Sequence, residues 1–276
     1  MQNKSLNANQ LLGQICERLG LAGLPSGWAE SSGGISAKGS AVLFLITPHQ
    51  TRPDRHPEPC LLLNKRSAKV LQPGDLCCPG GGVERIDRWL APLMFWPMSP
   101  LRRWPLWKKW RRDHPRTTDE LATLLTAGLR EGWEEMRLNP LKVRFLGCLP
   151  VQQLVMFDRH IYPLVVHVGN HCNLVPNWEV ERIIHIPLRR LMDRDNYARY
   201  SLSSHTRQGV SRRWEYFPCF VHQRRNGREV LWGATFRIAM DFMRIVLGFE
   251  LAGMDQTPVI NRRLARTYLS GSGQRG

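Results

Sequence analysis

The residues best suited to chemistry are three closely spaced glutamates, Glu131, Glu134 and Glu135, which directly follow Arg130. On an α-helix, residues three and four positions apart share a face, so this spacing predicts that the three carboxylates project together. Clustered carboxylate oxygens are the ligands that Mg²⁺ and Mn²⁺ prefer, with water and substrate phosphates completing the coordination shell. The spacing therefore predicts a metal site, against the alternative of a charged helix face that is simply solvated.

A glycine-rich stretch lies upstream of these glutamates. Pro79 is followed by Gly80, Gly81 and Gly82, and consecutive glycines allow backbone N–H groups to come close to a phosphate. The N-terminus of a helix beside such a loop adds a favourable dipole for an anion. Glycines, helix and carboxylates together predict a site for a phosphate and a divalent metal ion.

The glutamates belong to a long predicted helix. Thr117 and Glu120 have the spacing of a capping box, in which the two side chains satisfy backbone N–H groups at the helix start. Apolar residues then recur at spacings of three and four and predict one buried stripe opposite the glutamates. They are Leu121, Leu124, Leu125, Leu129, Trp133 and Met136.

The elements around this helix are predicted from short apolar runs and turn residues. Two more helices are predicted at 11–21 and 234–247, and Asn226-Gly227 predicts a hairpin. Apolar runs bounded by proline, glycine or charge predict strands at 41–46, 60–63, 143–149, 154–157, 162–168, 182–186, 214–221 and 229–232. Strands before, between and after the helices predict a mixed α/β layer structure.

Two sets of residues resemble a known family. Gly81-Gly82 followed by Arg130-Glu131-x-x-Glu134-Glu135 resembles the Nudix box, whose pattern is G-x5-E-x7-R-E-U-x-E-E-x-G-U with U apolar. The stretches 61–67 and 73–81, and the run Leu231-Trp-Gly-Ala-Thr235, are similar to the coenzyme A pyrophosphatase-like branch of that family. A looser match covers 180–188, and the resemblance spans roughly residues 40–248 apart from an insertion.

The resemblance implies a Nudix-type α/β/α sandwich with a mixed sheet. It also implies Mg²⁺- or Mn²⁺-dependent hydrolysis of a nucleoside diphosphate derivative at its pyrophosphate linkage, with coenzyme A or an acyl-CoA as a candidate substrate. Glu131 and Glu135 would be the principal metal ligands, and Glu134 a third ligand or a base that orients water. Arg130 would hold a glutamate in place, and the implied substrate contacts are Arg66, Gly80, Gly81 and Gly82.

The chain departs from the family pattern at several positions. The first glutamate of the box corresponds to Ala122, its glycine to Arg137 and its first apolar position to Gly132. In the branch motif, the arginine and histidine positions carry Val70 and Gln72. Two rival functions therefore stay open: hydrolysis of a nucleotide sugar or dinucleoside polyphosphate, and binding of a nucleotide or RNA without cleavage.

Residues 85–116 form the insertion between the glycines and the glutamates. They contain nine Lys and Arg against two Asp, a net charge of +7, and five of the ten tryptophans. Interleaved aromatic, aliphatic and basic residues are typical of a segment that lies on an acidic membrane surface. They also suit nucleic acid, whose bases stack on aromatic rings, and a subdomain that packs its tryptophans onto the body of the protein. The three interpretations stay open.

Composition limits the classes of partner and the redox setting. The formal net charge of +16 favours anionic partners such as nucleotides, nucleic acid or acidic lipid. Seven cysteines without a C-x-x-C pair predict reduced thiols.

No secretory signal or long apolar stretch occurs, so we expect a cytoplasmic protein that is peripheral to the membrane if the insertion binds lipid. The predicted regions are a helix and linker at 1–34, a Nudix-type domain at 35–250 and a basic tail at 251–276.

Overall fold

The computed structural model describes residues 8–28, 39–50, 56–154, 159–169, 172–205, 211–224, 227–264 and 268. The first sheet consists of β1 (Gly39–His49), β2 (Glu58–Arg66), β3 (Leu76–Cys77), β4 (Gly80–Gly82), β5 (Val143–Cys148), β6 (Gln152–Leu154), β7 (Arg159–Val168) and β8 (Val180–Pro187). The second consists of β9 (Tyr197–His205), β10 (Ser211–Arg224), β11 (Gly227–Trp232) and β12 (Val259–Leu264). The helices are α1 (Ala8–Leu21), α2 (Arg85–Leu90), α3 (Trp107–Asp113), α4 (Thr118–Met136), α5 (Leu188–Leu191) and α6 (Gly233–Leu247).

Both sheets are mixed. The first has the order β3-β2-β1-β7-β5, with β4 paired to β1, β6 to β7 and β8 to β2. β1 and β7 are parallel, whereas β1 is antiparallel to β2 and to β4. The second has the order β11-β10-β9-β12, and β12 is parallel to β9. The continuous apolar run of β1 suits its central place, because a central strand is covered on both faces.

Helices cover both faces of the first sheet. On one face, Leu43 of β1 lies so close to α4 that a Cβ on Gly128 would be 2.8 Å from its Cδ2 atom. On the other face, Phe44 stacks on Phe242 of α6, with ring centroids 4.6 Å apart. Because successive residues of a strand point to opposite faces, α4 and α6 lie on opposite sides of β1. The predicted α/β/α layering is confirmed.

The insertion packs against the body through three of its tryptophans. Trp104, Trp107 and Trp110 are buried. The indole N–H of Trp104 donates to the Leu146 carbonyl of β5 at 3.1 Å, and its ring meets the Phe145 ring edge-on, with centroids 4.9 Å apart. The interpretation as a packed subdomain is therefore correct for these three side chains. No helix within the described ranges is long and apolar enough to cross a membrane.

Two predictions about α4 are wrong. Thr117 does not cap the helix with its side chain, because its hydroxyl donates instead to the His114 carbonyl at 3.1 Å, within a preceding turn. Trp133, placed in the buried stripe by its spacing, is 45% exposed and lies beneath the guanidinium of Arg137, 5.5 Å from the ring centre. Stacking with a cation keeps an aromatic ring stable at the surface.

The C-terminal region is more ordered than its composition predicts. Residues 259–264, which lie within the predicted basic tail, form β12 and pair with β9, where Ile260 is buried. The predicted hairpin is confirmed by the pairing of Arg224 with Gly227, although residues 225–226 lie outside the described part. The predicted strand at 154–157 also falls largely outside it, since β6 ends at Leu154 and residues 155–158 are not described.

Candidate active site

Glu135 lies between α4 and the first sheet. Its side chain is buried, and Asn64 Nδ2 of β2 donates to Glu135 Oε2 at 2.8 Å. Burial, reinforced by the charges of Glu131 and Glu179, raises the pKa of Glu135 to about 8. The prediction that all three glutamates lie opposite the apolar stripe is wrong for Glu135. It follows Leu124 by 11 residues, about three helical turns, and therefore points to the same side.

Glu131 contacts the glycine stretch directly. A Cβ added to Gly81 would lie 2.3 Å from Glu131 Oε1, so a side chain at position 81 would displace this carboxylate. Burial raises the pKa of Glu131, and the guanidinium of Arg130 opposes that rise. The structure thus brings together two parts of the motif that the insertion separates in sequence.

Arg130 connects these parts. Its Nε donates to Asp87 Oδ1 of α2 at 2.9 Å, and the Asp87 side chain is fully buried. Its Nη2 donates to the Gly82 carbonyl and to Glu131 Oε1, both at 3.1 Å. Its Nη1 lies 3.2 Å from Glu134 Oε2, and the Glu134 side chain is 51% exposed. Arg130 is therefore placed to fix Glu131, as predicted, and Glu134 lies at the outer edge of the site.

Glu179, immediately before β8, is a site residue that sequence reasoning missed. Its charge acts on both Glu131 and Glu135 and contributes to raising the pKa of each. The segment before it is fixed to the end of α4, because Val175 N donates to the Met136 carbonyl at 2.9 Å and Asn177 N donates to the Glu135 carbonyl at 2.8 Å. These carbonyls have no partner within the helix. The looser family match over 180–188 begins one residue after Glu179. That match is the feature of the sequence from which Glu179 could have been found.

The end of α4 accounts for one departure from the family pattern. Arg137, in place of glycine, has a φ of 58°, in the left-handed region. Its N–H donates to the Trp133 carbonyl at 2.9 Å, and Leu138 N donates to the Gly132 carbonyl at 3.1 Å, which is the usual arrangement around a C-terminal glycine. The left-handed conformation costs an arginine about 1 kcal/mol in stability. The helix nevertheless ends at the position where the family pattern has its glycine.

The other departure removes a carboxylate. Ala122 is completely buried in the core, and its methyl group offers no metal ligand. Glu120, two positions earlier on the helix, has its pKa raised by burial alone. Among the described carboxylates, Glu131 interacts with Glu134 and Glu179, and Glu135 interacts with Glu131 and Glu179.

Arg66 lines a small cleft next to Glu135. The cleft is formed by Asn64, Arg66, Val70, Cys77, Glu135, Glu179 and Val180. The guanidinium of Arg66 lowers the pKa of Glu135, against the stronger effect of burial, and its Nε donates to the Leu71 carbonyl at 2.6 Å. Burial raises the pKa of the Cys77 thiol to about 11, so this cysteine is not an activated nucleophile.

The glycines form a strand and not an open loop. Gly80, Gly81 and Gly82 make up β4 and pair antiparallel with residues 40–42 of β1. A Cβ on Gly80 would lie 2.2 Å from the Ala41 carbonyl oxygen, so the close approach of β1 requires glycine there. The N-terminus of α4 does not lie beside the acidic end of that helix, because Thr118 precedes Glu131 by 13 residues, about 20 Å along the helix. The N-terminal dipole of α4 therefore does not act at the glutamates, whereas the helix that starts next to the glycine strand is α2.

The donor groups fit a hard divalent cation that keeps water ligands. No three His, Cys, Asp or Glu side chains in the described segments converge tightly enough to enclose an ion unaided. Glu131, Glu135 and Glu179 nevertheless interact electrostatically, and Asn64 Oδ1 is buried beside Glu135 without a hydrogen-bond partner. Magnesium is commonly bound by one or two carboxylates, with waters and substrate phosphates in the other positions. The metal site predicted at Glu131, Glu134 and Glu135 stays a prediction, and Glu179 joins the candidates.

A second layer of contacts fixes the segment before β3. Arg262 of β12 donates from Nη1 to Asp75 Oδ1 at 2.7 Å and from Nη2 to the Pro73 carbonyl at 2.9 Å. The Tyr268 hydroxyl donates to Asp75 Oδ2, and Gln72 N donates to the Tyr268 carbonyl at 2.8 Å. The C-terminal region thus holds the segment that leads to Cys77 and the cleft.

Comparisons with known proteins add a likeness to solved structures. No protein-family model and no curated protein matches the chain. A Nudix hydrolase from M. smegmatis, RenU, is 16% identical over 57% of this chain and 74% of its own, with a TM-score of 0.35. An Ap4A hydrolase of C. elegans is 13% identical over 56% and 82%, with a TM-score of 0.34. The NUDIX domain of Shewanella oneidensis NrtR, complexed with ADP ribose, is 13% identical over 62% and 83%, with a TM-score of 0.33. At such low identities and TM-scores, the activity of this chain has to be argued from its own residues.

Proposed function

We propose that this protein is a Nudix-type hydrolase that cleaves the pyrophosphate linkage of a nucleoside diphosphate derivative, with Mg²⁺ or Mn²⁺ as cofactor. The observation that carries the proposal is the fixed placement of two neighbouring carboxylates: Glu135 accepts from Asn64 at 2.8 Å, and Glu131 accepts from Arg130 at 3.1 Å. These carboxylates lie against the glycine strand at Gly81 and beside a cleft that contains Arg66. Carboxylates for a metal and a cation for a phosphate are what such a hydrolase requires.

The chain's own residues supply position and charge. A bound magnesium ion would neutralise charge on the phosphoryl oxygens and make a bound water more acidic. Asn64 holds one oxygen of Glu135, and Arg130 holds one oxygen of Glu131, so the orientation of both carboxylates is fixed before substrate binds. Arg66, which lines the cleft, would pair with a phosphate oxygen. Water would then attack phosphorus in line with the leaving phosphate, and positioning and electrostatics would lower the barrier.

Hydrolysis of a nucleotide panel with Mg²⁺ tests the proposal. The panel contains coenzyme A, ADP-ribose, diadenosine tetraphosphate and a nucleotide sugar, and the products are separated by ion-exchange chromatography. We expect Glu135→Gln to lower kcat by about 100-fold or more on whichever substrate is cleaved, since it removes a charge that interacts with the metal. Glu120→Gln, on the same helix, is the matched control and should keep wild-type turnover. Wild-type turnover by Glu135→Gln would contradict the proposal.

Within this function, we propose coenzyme A or an acyl-CoA as substrate. The similarity of residues 61–67 and 231–235 to the coenzyme A pyrophosphatase-like branch supports this choice. The net charge of +16 suits a substrate with an additional 3′-phosphate. The products would be adenosine 3′,5′-bisphosphate and a 4′-phosphopantetheine. We expect kcat/KM to be higher for coenzyme A than for 3′-dephospho-coenzyme A. Arg66→Ala should reduce that preference, and Lys69→Ala, which changes an exposed cation nearby, should preserve it.

A second candidate function is binding of a nucleotide without cleavage. The burial of Ala122 at a position where the family pattern has glutamate favours it. Isothermal titration with the same nucleotides distinguishes the two. Nucleotide binding without Mn²⁺ binding and without product formation would favour the binding module over the hydrolase.

A further inference from the structure

α2 and the turn after it carry an apolar stripe on their outer side. Ile86, Trp89, Leu93 and Trp96 follow one another at spacings of three, four and three, so they lie along one side of a helical segment. They are 42, 75, 42 and 66% exposed, respectively, and Met98 just beyond is 69% exposed. We call these five residues the outer stripe.

The opposite side of the same segment is fixed to the body. Asp87 and Ala91 are buried, and Met94 and Phe95 pack against the main core. Asp87 Oδ2 accepts from Glu84 N at 2.7 Å, in addition to its bonds with Arg130. The outer stripe is therefore displayed on a rigid support, and its exposure is not the result of a loose segment.

Basic residues surround the outer stripe. Arg85 and Arg88 are exposed on α2, and Arg102 is exposed a few residues after Met98. The whole insertion, 85–116, carries nine Lys and Arg against two Asp. Exposed apolar side chains with a surrounding cationic field are complementary to a surface that has an apolar interior and anionic headgroups.

We propose that the outer stripe binds the surface of a lipid bilayer that contains anionic lipids. Trp89 and Trp96 would lie at headgroup level, where an indole ring is stable, and the aliphatic side chains between them would enter the acyl boundary. Those aliphatic side chains, Ile86, Leu93 and Met98, disfavour single-stranded nucleic acid as the partner, because bases stack on aromatic rings and not on aliphatic chains.

Docking in this way would place the candidate active site next to the bilayer. Asp87, on the helix that displays the stripe, bonds to Arg130 at the glutamates. A substrate with an acyl chain in the bilayer and its pyrophosphate at the headgroups would then meet the site directly. This consequence rests on the proposed hydrolase function. The docking itself does not, and it is tested without any substrate.

Vesicle co-sedimentation of the full chain tests the docking. The vesicles are phosphatidylcholine alone or phosphatidylcholine with phosphatidylglycerol, at low and high salt. We expect binding to the anionic vesicles that weakens with salt. The Trp89→Ser/Trp96→Ser variant should bind about tenfold more weakly. Trp178→Ser is the matched control, since Trp178 is 60% exposed outside the insertion, and it should bind as wild type.

Fluorescence gives a second readout that reports directly on the depth of the tryptophans in the bilayer. Vesicles with brominated acyl chains should quench part of the tryptophan emission, and that part should disappear in the Trp89→Ser/Trp96→Ser variant. The proposal is overturned if wild type stays in the supernatant with anionic vesicles at low salt, or if the double variant binds as well as wild type. Binding of a single-stranded oligonucleotide through the same two tryptophans, without vesicle binding, would also overturn it and favour nucleic acid.

Discussion

Asn64 and Glu135 are joined by a hydrogen bond of 2.8 Å from Nδ2 to Oε2, although 71 positions separate them in sequence. The bond crosses from β2 to α4, and it leaves Asn64 Oδ1 buried without a partner. It fixes the orientation of the most buried of the candidate metal-binding carboxylates. A metal site at Glu135 therefore depends on a residue from the sheet on which α4 packs.

Replacing Asn64 by leucine tests that dependence. Asn64→Leu keeps the branched shape of the side chain and removes the donor, so Glu135 loses its fixed orientation. Loss of a group that orients a metal ligand typically weakens metal affinity about 10- to 100-fold. We expect that loss for Mn²⁺, measured by electron paramagnetic resonance titration. Circular dichroism checks that the variant is folded, and unchanged affinity in a folded variant would show that the bond has no part in metal binding.

The ion pair between Arg130 and Asp87 predicts a non-additive effect on stability. Arg130→Met leaves Asp87, whose side chain is fully buried, without its cation. Removing one partner of a buried pair costs about 3 kcal/mol or more. In the Asp87→Asn/Arg130→Met double variant the stranded charge is gone, so the loss should be smaller than the sum of the two single losses. Urea unfolding of all four proteins measures this, and additive losses would contradict the pairing.

Much of this site was predictable from sequence, because it depends on local spacing. The helix that carries the glutamates and the contact of Arg130 with a glutamate follow from spacing along one helix. Glu179 and Asn64 did not, since they enter the site only through packing between elements distant in sequence. The side to which Glu135 points was also predictable, because its spacing of 11 residues from Leu124 places it on the apolar side of the helix.

The second sheet shows a different limit. In β12, Ile260 is the one residue of Val259–Leu264 that is buried, so the strand has no apolar run by which it could be recognised. Its parallel partner, β9, lies about 60 residues earlier. A strand that is held by backbone pairing and a single buried side chain needs no apolar composition. The sequence of β12 therefore predicts a basic tail and not a strand.

Two stacked histidines predict a loss of stability in acid. The rings of His49 and His185 are 3.9 Å apart and nearly parallel. Burial, followed by the charges of His49 and Arg224, lowers the pKa of His185 to about 4. Between pH 6.5 and 4 the unfolded chain therefore binds a proton at this position that the folded chain does not, and stability falls as the pH falls.

His185→Phe should remove that share of the acid sensitivity, since phenylalanine keeps the stacking and does not titrate. We expect the loss of unfolding free energy between pH 7 and pH 4.5 to be about 2 kcal/mol smaller in the variant. Urea unfolding at the two pH values measures it. Burial also lowers the pKa values of His167 and His222 to about 4. These two histidines continue to contribute to the loss of unfolding free energy in acid, in the variant as in wild type. An equal loss in variant and wild type would contradict the lowered pKa of His185.

The bond between Arg262 and Asp75 predicts an effect on substrate binding. Arg262→Ala leaves a largely buried carboxylate without its cation and frees the segment at Pro73, so we expect a loss of about 2 kcal/mol in unfolding free energy. On the proposed substrate, KM should rise more than kcat falls, because the segment borders the cleft without carrying the metal. Arg263→Ala, at the exposed neighbouring position, is the matched control. Equal effects of the two substitutions would show that the contact with Asp75 is unimportant.

The contacts of Arg262 and Tyr268 with the segment before β3 also bear on biosynthesis. Residues 72–77 leave the ribosome early, but the side chains that hold them are made almost 200 residues later. During translation, the glycine strand and the glutamate helix can meet well before the segment that borders the cleft is fixed. A nascent chain would therefore gain its core first and a finished substrate cleft only after residue 268 has emerged from the exit tunnel. Premature termination within β12 would release a folded body with an unfinished cleft.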